Sequence, residues 1–275
     1  MITRCRPLLG TFVEITVPQG YEQAAEQAFA AIAHVHRRMS FHDSDSDLAR
    51  LREAPPGTTL EVDEETVAVL RTAVALYRDT GGLFDVGVGR SLVRSGFLPR
   101  ERIARLDGYC GTSGDIEIVD DRHVRTHRGM LIDLGGIAKG YAVDRAVEVL
   151  TERGVGEALV NAGGDLRAFG ARAWPVGLRD AHGKVRFMVP ARNCAVASSS
   201  NLDNRRRVRG REESPHVGRG GKSVLADHRV TVIAPTCIIA DALTKVALAD
   251  HDLAERVALN FGARLLDAPD TGVPS

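Results

Sequence analysis

Met130-Leu-Ile-Asp-Leu-Gly-Gly-Ile-Ala-Lys-Gly-Tyr-Ala-Val-Asp144 decides how the rest of this 275-residue chain is read. An apolar run ends in the carboxylate of Asp133, two glycines follow, and Lys139 then lies near the start of an amphipathic helix. That order sets an acid, bare backbone and a cation at one strand-to-helix bend, where a helix N-terminus can face a phosphate. Asn161-Ala-Gly-Gly-Asp165 follows within twenty residues and closes a second strand. Two Gly-Gly turns so close together suggest a nucleotide site. A Walker loop is excluded, because Ala138 stands before Lys139 and Gly140 after it.

Outward from that stretch, hydrophobic periodicity assigns most elements. Thr11-Phe-Val-Glu-Ile-Thr-Val17 alternates as a strand. Ala25, Ala28, Ile32, Val35 and Met39 recur at helical spacing between Tyr21 and Met39. His42 to Arg52 reads as a polar connector, and Asp63 as the N-cap of a helix over Glu64 to Thr80. Gly81-Gly-Leu-Phe-Asp85 reads as a tight loop, followed by short antiparallel strands between Leu106 and Arg128. The helix after Gly136 should end at Arg153, with Gly154 as its stop. Strands are expected at Ala158 to Asn161, Trp174 to Val189, Cys194 to Ser198 and Val230 to Ala234, then two helices separated near His251. Asp203 to Lys222, rich in glycine and arginine, is expected to be a flexible loop, able to act as a lid. The sum is an α+β fold, a mostly antiparallel sheet core flanked by helices, built as one domain over 1–275 or as two lobes.

The 36 basic and 36 acidic residues cancel, so no global field recruits nucleic acid or a membrane surface. No apolar run reaches the length of a membrane span, and the first residues lack the apolar core of an export signal. Cys5, Cys110, Cys194 and Cys237 are scattered without ligand spacing, which suits reduced thiols in a cytoplasmic protein.

Three constellations can carry chemistry, and each has a plainer alternative. Lys139 sits where a helix dipole disfavours a cation, a cost that an anionic ligand would offset; otherwise it merely reaches solvent. Asn161, Gly163 and Gly164 can present an amide and backbone N–H groups, although the motif alone is as well read as a hairpin turn with Asp165 exposed. In Ala240-Asp-Ala-Leu-Thr-Lys245, Asp241 shares a helix face with Thr244 and Lys245. A carboxylate and a hydroxyl on one face suit magnesium, and a surface Asp–Lys pair is the simpler reading.

Taken together, in order and spacing, these segments resemble the ApbE family, the FAD:protein FMN transferases. The matching pieces are Leu9-Gly-Thr11, Ser40 through Ser46 to Leu51, Leu83-Phe-Asp85, Asp133 to Gly140, Asn161 to Asp165, Val230 to Pro235 and Ala240 to Leu243. The resemblance implies a fold related to the T-fold, FAD in a cleft, magnesium at its diphosphate, and transfer of FMN to a Ser or Thr hydroxyl of an acceptor protein with release of AMP. It also implies roles. Leu9, His42, Leu83, Phe84 and Asp85 would lie along the flavin nucleotide, Asp133 and Lys139 would contact FAD, and Gly136 and Asp241 would bind magnesium. Asp241, His216 and Lys245 become the catalytic candidates. Alternatives within the same resemblance are a flavin-binding protein without transfer activity and a magnesium-dependent FAD pyrophosphatase. The chain departs from the family pattern at Leu9 (Met), at His42 (Tyr) and at Lys245, where a magnesium-binding Thr is expected. The hydroxyl has moved to Thr244, about 100° around a helix. The family's His-x-x-Asp-Pro-x-Thr-Gly segment is replaced by Ser214-Pro-His-Val-Gly-Arg-Gly-Gly221.

Overall fold

Alternation along Thr11–Val17 turns Val13, Ile15 and Val17 inward, where none is exposed, and the largest core of the molecule assembles on that face. The computed structural model describes residues 1–101, 103, 105–180 and 183–266. Its strands are β1 (Ile2–Leu8), β2 (Thr11–Val17), β3 (Thr59–Glu61), β4 (Ile116–Ile118), β5 (His123–Thr126), β6 (Ala158–Ala162) and β7 (Asp165–Phe169). They continue with β8 (Trp174–Arg179), β9 (Val185–Ala191), β10 (Cys194–Ser199), β11 (Arg206–Val208), β12 (Arg211–Glu213), β13 (Val230–Ala234) and β14 (Arg264–Leu266). The helices are α1 (Glu22–Arg38), α2 (Asp47–Glu53), α3 (Glu64–Asp79), α4 (Gly89–Arg94), α5 (Ala138–Glu152), α6 (Cys237–Ala249) and α7 (His251–Asn260). None is long and apolar enough to cross a membrane.

Seven strands form an antiparallel sheet in the order β1-β2-β6-β7-β10-β13-β14. Helices α5 and α6 lie across one face, with α1 packed against α5. Each fully buried Ile, Leu or Val in that layer, such as Ile32, Leu150 and Leu243, contributes about 1.5–3 kcal/mol. The β8–β9 ribbon covers the other face, where Trp174 and Val176 meet Leu166, Ala168 and Val196. Because side chains alternate along a strand, Asp165 and Arg167 of β7 and Ala195, Ala197 and Ser199 of β10 must then face the helices. That parity places polar groups beneath α5 and α6.

The α+β architecture matches the sequence reading, and several segments differ from it. Asp203 to Lys222, expected to be a flexible loop, carries a β11–β12 hairpin whose two turn residues, Arg209 and Gly210, both have positive φ (49° and 81°). That is the backbone of a tight two-residue hairpin turn. Its arginines bond backbone carbonyls: Arg206 donates to Gly96 O at 2.6 Å, and Arg219 to Thr80 O at 3.0 Å and to Gly81 O. Within the expected polar connector, Ser46 accepts from Ala49 N at 3.1 Å and caps α2, whose Leu48, Ala49 and Leu51 are buried. Strand β1 carries no alternating signal because it is an edge strand exposed on both faces. Asp165, which the plain hairpin reading leaves exposed, opens β7 and is 2% exposed.

Helices α5 and α6 meet backbone to backbone at Gly140. A Cβ there would lie 2.2 Å from Cys237 O and 2.8 Å from Ile238 Cα. Helix propensity alone favours Ala over Gly by about 1 kcal/mol. The contact reverses that sign, so Gly140→Ala should destabilise the protein by about 1–3 kcal/mol, as overpacking does. Thermal denaturation followed by circular dichroism should show a melting temperature lower by several degrees; an unchanged or raised value would mean that the two helices do not approach this closely.

Candidate functional site

Two adjoining hollows open where the Asp133 bend leads into α5. The larger, about 460 Å³, is bordered by Leu83, Phe84, Asp133, Gly136, Lys139 and Lys245, and also by His216 and Arg229. A second of about 260 Å³ lies against Leu9 and His42 and shares Asp133, Gly135 and Lys139 with the first. The structure therefore gathers Leu9, His42, the Leu83-to-Asp85 loop, Asp133, Gly136, Lys139, His216 and Lys245 around these two adjoining hollows, together the cleft. Asp85 does more than border it. Its Oδ1 accepts from Gly87 N (2.8 Å), Ser113 N (2.8 Å) and Ser113 Oγ (2.7 Å), so this carboxylate holds the loop in shape.

Asn161, Gly163 and Gly164 border neither hollow. Asn161 Oδ1 accepts from Gly164 N at 2.9 Å and its Nδ2 donates to Glu14 Oε2 at 3.3 Å. Gly163 (φ 65°) packs so close to Thr11 that a Cβ would meet its hydroxyl at 2.4 Å. Gly163 and Gly164 form the β6–β7 turn, braced by Asn161 of β6, and the turn delivers Asp165 to the cleft floor, where its carboxylate pairs with Lys139.

The floor is a buried set of alternating charges. Lys139 Nζ touches Asp165 and lies 3.5 Å from Asp241 Oδ2, which also accepts from Gly140 N at 3.1 Å. Lys245 Nζ donates to Asp241 Oδ1 at 2.8 Å, to Ser199 Oγ at 2.7 Å and to Thr244 Oγ1 at 2.9 Å. Asp241 and Thr244 are wholly buried, and the expectation of a solvent-facing Asp–Lys pair fails there. Burial opposes ionisation of Asp241, yet Lys139, Lys245 and the Gly140 amide together hold its pKa below the ordinary carboxylate value. Burial likewise pulls Lys139 down, and the Asp241 and Asp165 carboxylates more than reverse it, so this ammonium stays charged. Asp165 is raised, first by burial and then by the neighbouring Asp241 charge, with Lys139 pulling the other way.

His216 is neutral. Burial first, and the Lys245 charge second, push its pKa down to about 3, and its Nδ1 is buried without a hydrogen-bond partner. Thr244 Oγ1 donates to Asp241 O at 2.6 Å, an i−3 carbonyl of its own helix, and meets Ser199 Oγ at 2.7 Å. The expected hydroxyl donor thus points into the interhelical polar knot beneath Lys245.

Three contributors escape the sequence reading. Ser199 closes the cluster from β10, signalled only by the switch from Ala195-Val196-Ala197 to Ser198-Ser199-Ser200. Arg229 reaches the cleft from just before β13. Asp144, an unusual acid in a helix interior, accepts from Cys237 N and Ile238 N, both at 2.8 Å, and pairs with Arg167 at 2.8 Å. It fixes the start of α6 and hence the position of Asp241.

Known proteins share this fold. The ApbE family pattern matches residues 9–259. A Haemophilus influenzae relative named FAD:protein FMN transferase is 27% identical over an alignment 281 positions long, gaps included, that covers 91% of this chain and 80% of that protein. A Treponema pallidum relative of the same name is also 27% identical, over 72% of this chain; there the alignment spans 64% of the relative's length. Among solved structures, the ApbE protein of Thermotoga maritima superposes with a TM-score of 0.83 at 30% identity, over 96% of this chain and 93% of that one. The apo flavinyl transferase ApbE of Pseudomonas stutzeri, 22% identical, has the same fold at a TM-score of 0.82. On the pattern matched from residue 9 to residue 259 and the shared architecture, the chain belongs to the ApbE family.

Proposed function

We propose that this chain moves FMN from FAD onto a Ser or Thr hydroxyl of an acceptor protein and releases AMP. The observation that carries the reading is the paired-charge floor of Lys139, Asp165, Asp241 and Lys245 beneath a cleft at the start of α5. Two ammonium groups held in a buried frame can face a diphosphate without reorganising, which is where electrostatic stabilisation is most effective. The apolar walls at Leu9, Leu83 and Phe84, with the His42 ring, offer stacking surface to a flavin. The family names of the relatives support this substrate.

In the reaction the acceptor oxygen forms a new bond to the FMN phosphorus. The P–O bond to the AMP phosphate breaks, its electron pair leaves on AMP, and the hydroxyl proton is released. His216 Nδ1, buried and unpartnered, is the group suited to accept the hydrogen of the incoming hydroxyl. A dianionic diphosphate in the cleft would raise its depressed basicity.

The magnesium that accompanies this activity in the resemblance fits poorly here. Of its expected ligands, the Asp241 carboxylate is held by Lys245, Lys139 and Gly140 N, and the Thr244 hydroxyl donates to Asp241 O. Gly136 lies under the Lys245 stem, whose Cγ would be 3.2 Å from a Cβ at that position. No step is routed through a metal.

Incubation with FAD and an acceptor should give flavin fluorescence on the acceptor in a denaturing gel, and AMP in solution. AMP with free FMN would mean a pyrophosphatase, and neither product with FAD retained would mean a binding protein. Lys139→Ala should weaken FAD by about tenfold or more, as loss of a charge-assisted contact does, and abolish labelling.

His216 also sets an acid limit. Its folded pKa of about 3 lies below the unfolded value, so the unfolded chain binds more protons and stability is lost as pH falls from about 6.5 towards 3. In denaturant titrations of the ligand-free protein, this loss should approach about 1.4 kcal/mol per pH unit at steepest. His216→Gln should flatten that limb, and parallel curves for the two proteins would place the imidazole in solvent.

A further inference from the structure

Lys245 Nζ sits among four oxygens of this chain: Ser199 Oγ at 2.7 Å, Asp241 Oδ1 at 2.8 Å, Thr244 Oγ1 at 2.9 Å and Asp241 O at 3.4 Å. A carboxylate, two hydroxyls and a carbonyl are the donors that a small hard cation collects, at about 2.1 Å for magnesium. Here the cation at their centre is covalently attached. Asp241 and Thr244 have no exposure and Ser199 has 7%, whereas the Lys245 side chain keeps 20%. The ammonium is therefore enclosed by its oxygens on the inner side and borders the cleft on the outer side.

Charge and space both favour this occupant. Counted by formal charge, Lys139 and Lys245 balance Asp165 and Asp241. A divalent ion among the same oxygens would bring two uncompensated charges to within a few ångströms of an ammonium. To admit it, the lysine would have to leave Asp241, and separating a buried pair is strongly unfavourable. The stem is accommodated as well as the head group, because Gly136 provides the side-chain-free surface over which it runs.

We propose that Lys245 is a tethered cation that takes the place of a divalent metal, so that this chain holds its diphosphate ligand, and works on it, without bound magnesium. The identity of that ligand rests on the transferase reading above; the exclusion of metal does not. No bond to Lys245 forms or breaks. Its charge offsets that of the diphosphate, and Lys139 supplies the second positive group from α5.

The test needs no turnover. Mn²⁺, which substitutes for magnesium and is read by electron paramagnetic resonance, is titrated into the wild-type protein and into Lys245→Thr. The wild type should leave the Mn²⁺ signal that of free ion, and Lys245→Thr should bind one ion per chain through Asp241 and the added hydroxyl. FAD affinity, followed by flavin fluorescence, should be the same for the wild type in EDTA and in magnesium. For Lys245→Thr it should fall by about tenfold or more in EDTA and recover with magnesium. Tight Mn²⁺ binding by the wild type, or FAD binding abolished by EDTA, would overturn the proposal. Those wild-type measurements stand even if Lys245→Thr does not fold. Lys245→Met, which keeps the stem and removes the charge, should then weaken FAD in both conditions. A wild type that binds FAD in neither condition would sink the transferase reading, while its Mn²⁺ titration still decides whether the lysine excludes metal.

Discussion

Two helices cap each other across the centre of this molecule, and the cleft exists because they do. Asp144, within α5, takes the first two N–H groups of α6, and Asp241, within α6, takes the Gly140 N–H in the first turn of α5. The first N–H groups of any helix lack partners inside it and carry partial positive charge, so a carboxylate is a suitable acceptor for either end. Each acid is held in turn by a cation, Arg167 for Asp144 and Lys245 for Asp241. Gly140 makes the arrangement possible, since the backbones touch where its side chain would be. The result is a rigid crossing that sets Lys139, Asp241 and Lys245 at fixed separations beneath the Asp133 bend.

The same crossing explains how so much charge tolerates burial. A lone buried carboxylate would take up a proton, but here each carboxylate meets an ammonium and each ammonium meets more than one oxygen. The sheet contributes through strand parity: Asp165 and Ser199 are the polar members of β7 and β10, with Arg167, whose side chains must point at the helices. A ligand bearing two negative charges would find two cations already oriented, with their counter-charges on the side away from it. The apolar residues at Leu9, Leu83 and Phe84 then bound the space in which a ring system can lie.

Arginine in the 203–222 segment was legible as composition and misleading as structure. Freedom is the ordinary expectation for a glycine- and arginine-rich stretch, but Arg206 and Arg219 cross the molecule to carbonyls at Gly96 and at Thr80 and Gly81, near the ends of α4 and α3. These bonds tie the segment that carries His216 to the loop that carries Phe84. Strand β1 was likewise invisible, because an edge strand exposed on both faces has no alternation to read.

Lys245 stands out only against the ApbE pattern, which the resemblance supplies; local chemistry alone was enough to assign the long amphipathic helices, β2 and β6, and the bend at Asp133 to Lys139. Those signals are written in periodicity and in side-chain type, which depend only on neighbours along the chain. Pairings between distant segments were decided by the tertiary structure alone. It put Asp165 under Lys139, recruited Ser199 to Lys245, turned Asp144 into the anchor of α6, and left Gly163 and Gly164 as a turn braced by Asn161. Such contacts follow from which face of a strand meets which turn of a helix, and no window of sequence contains both partners.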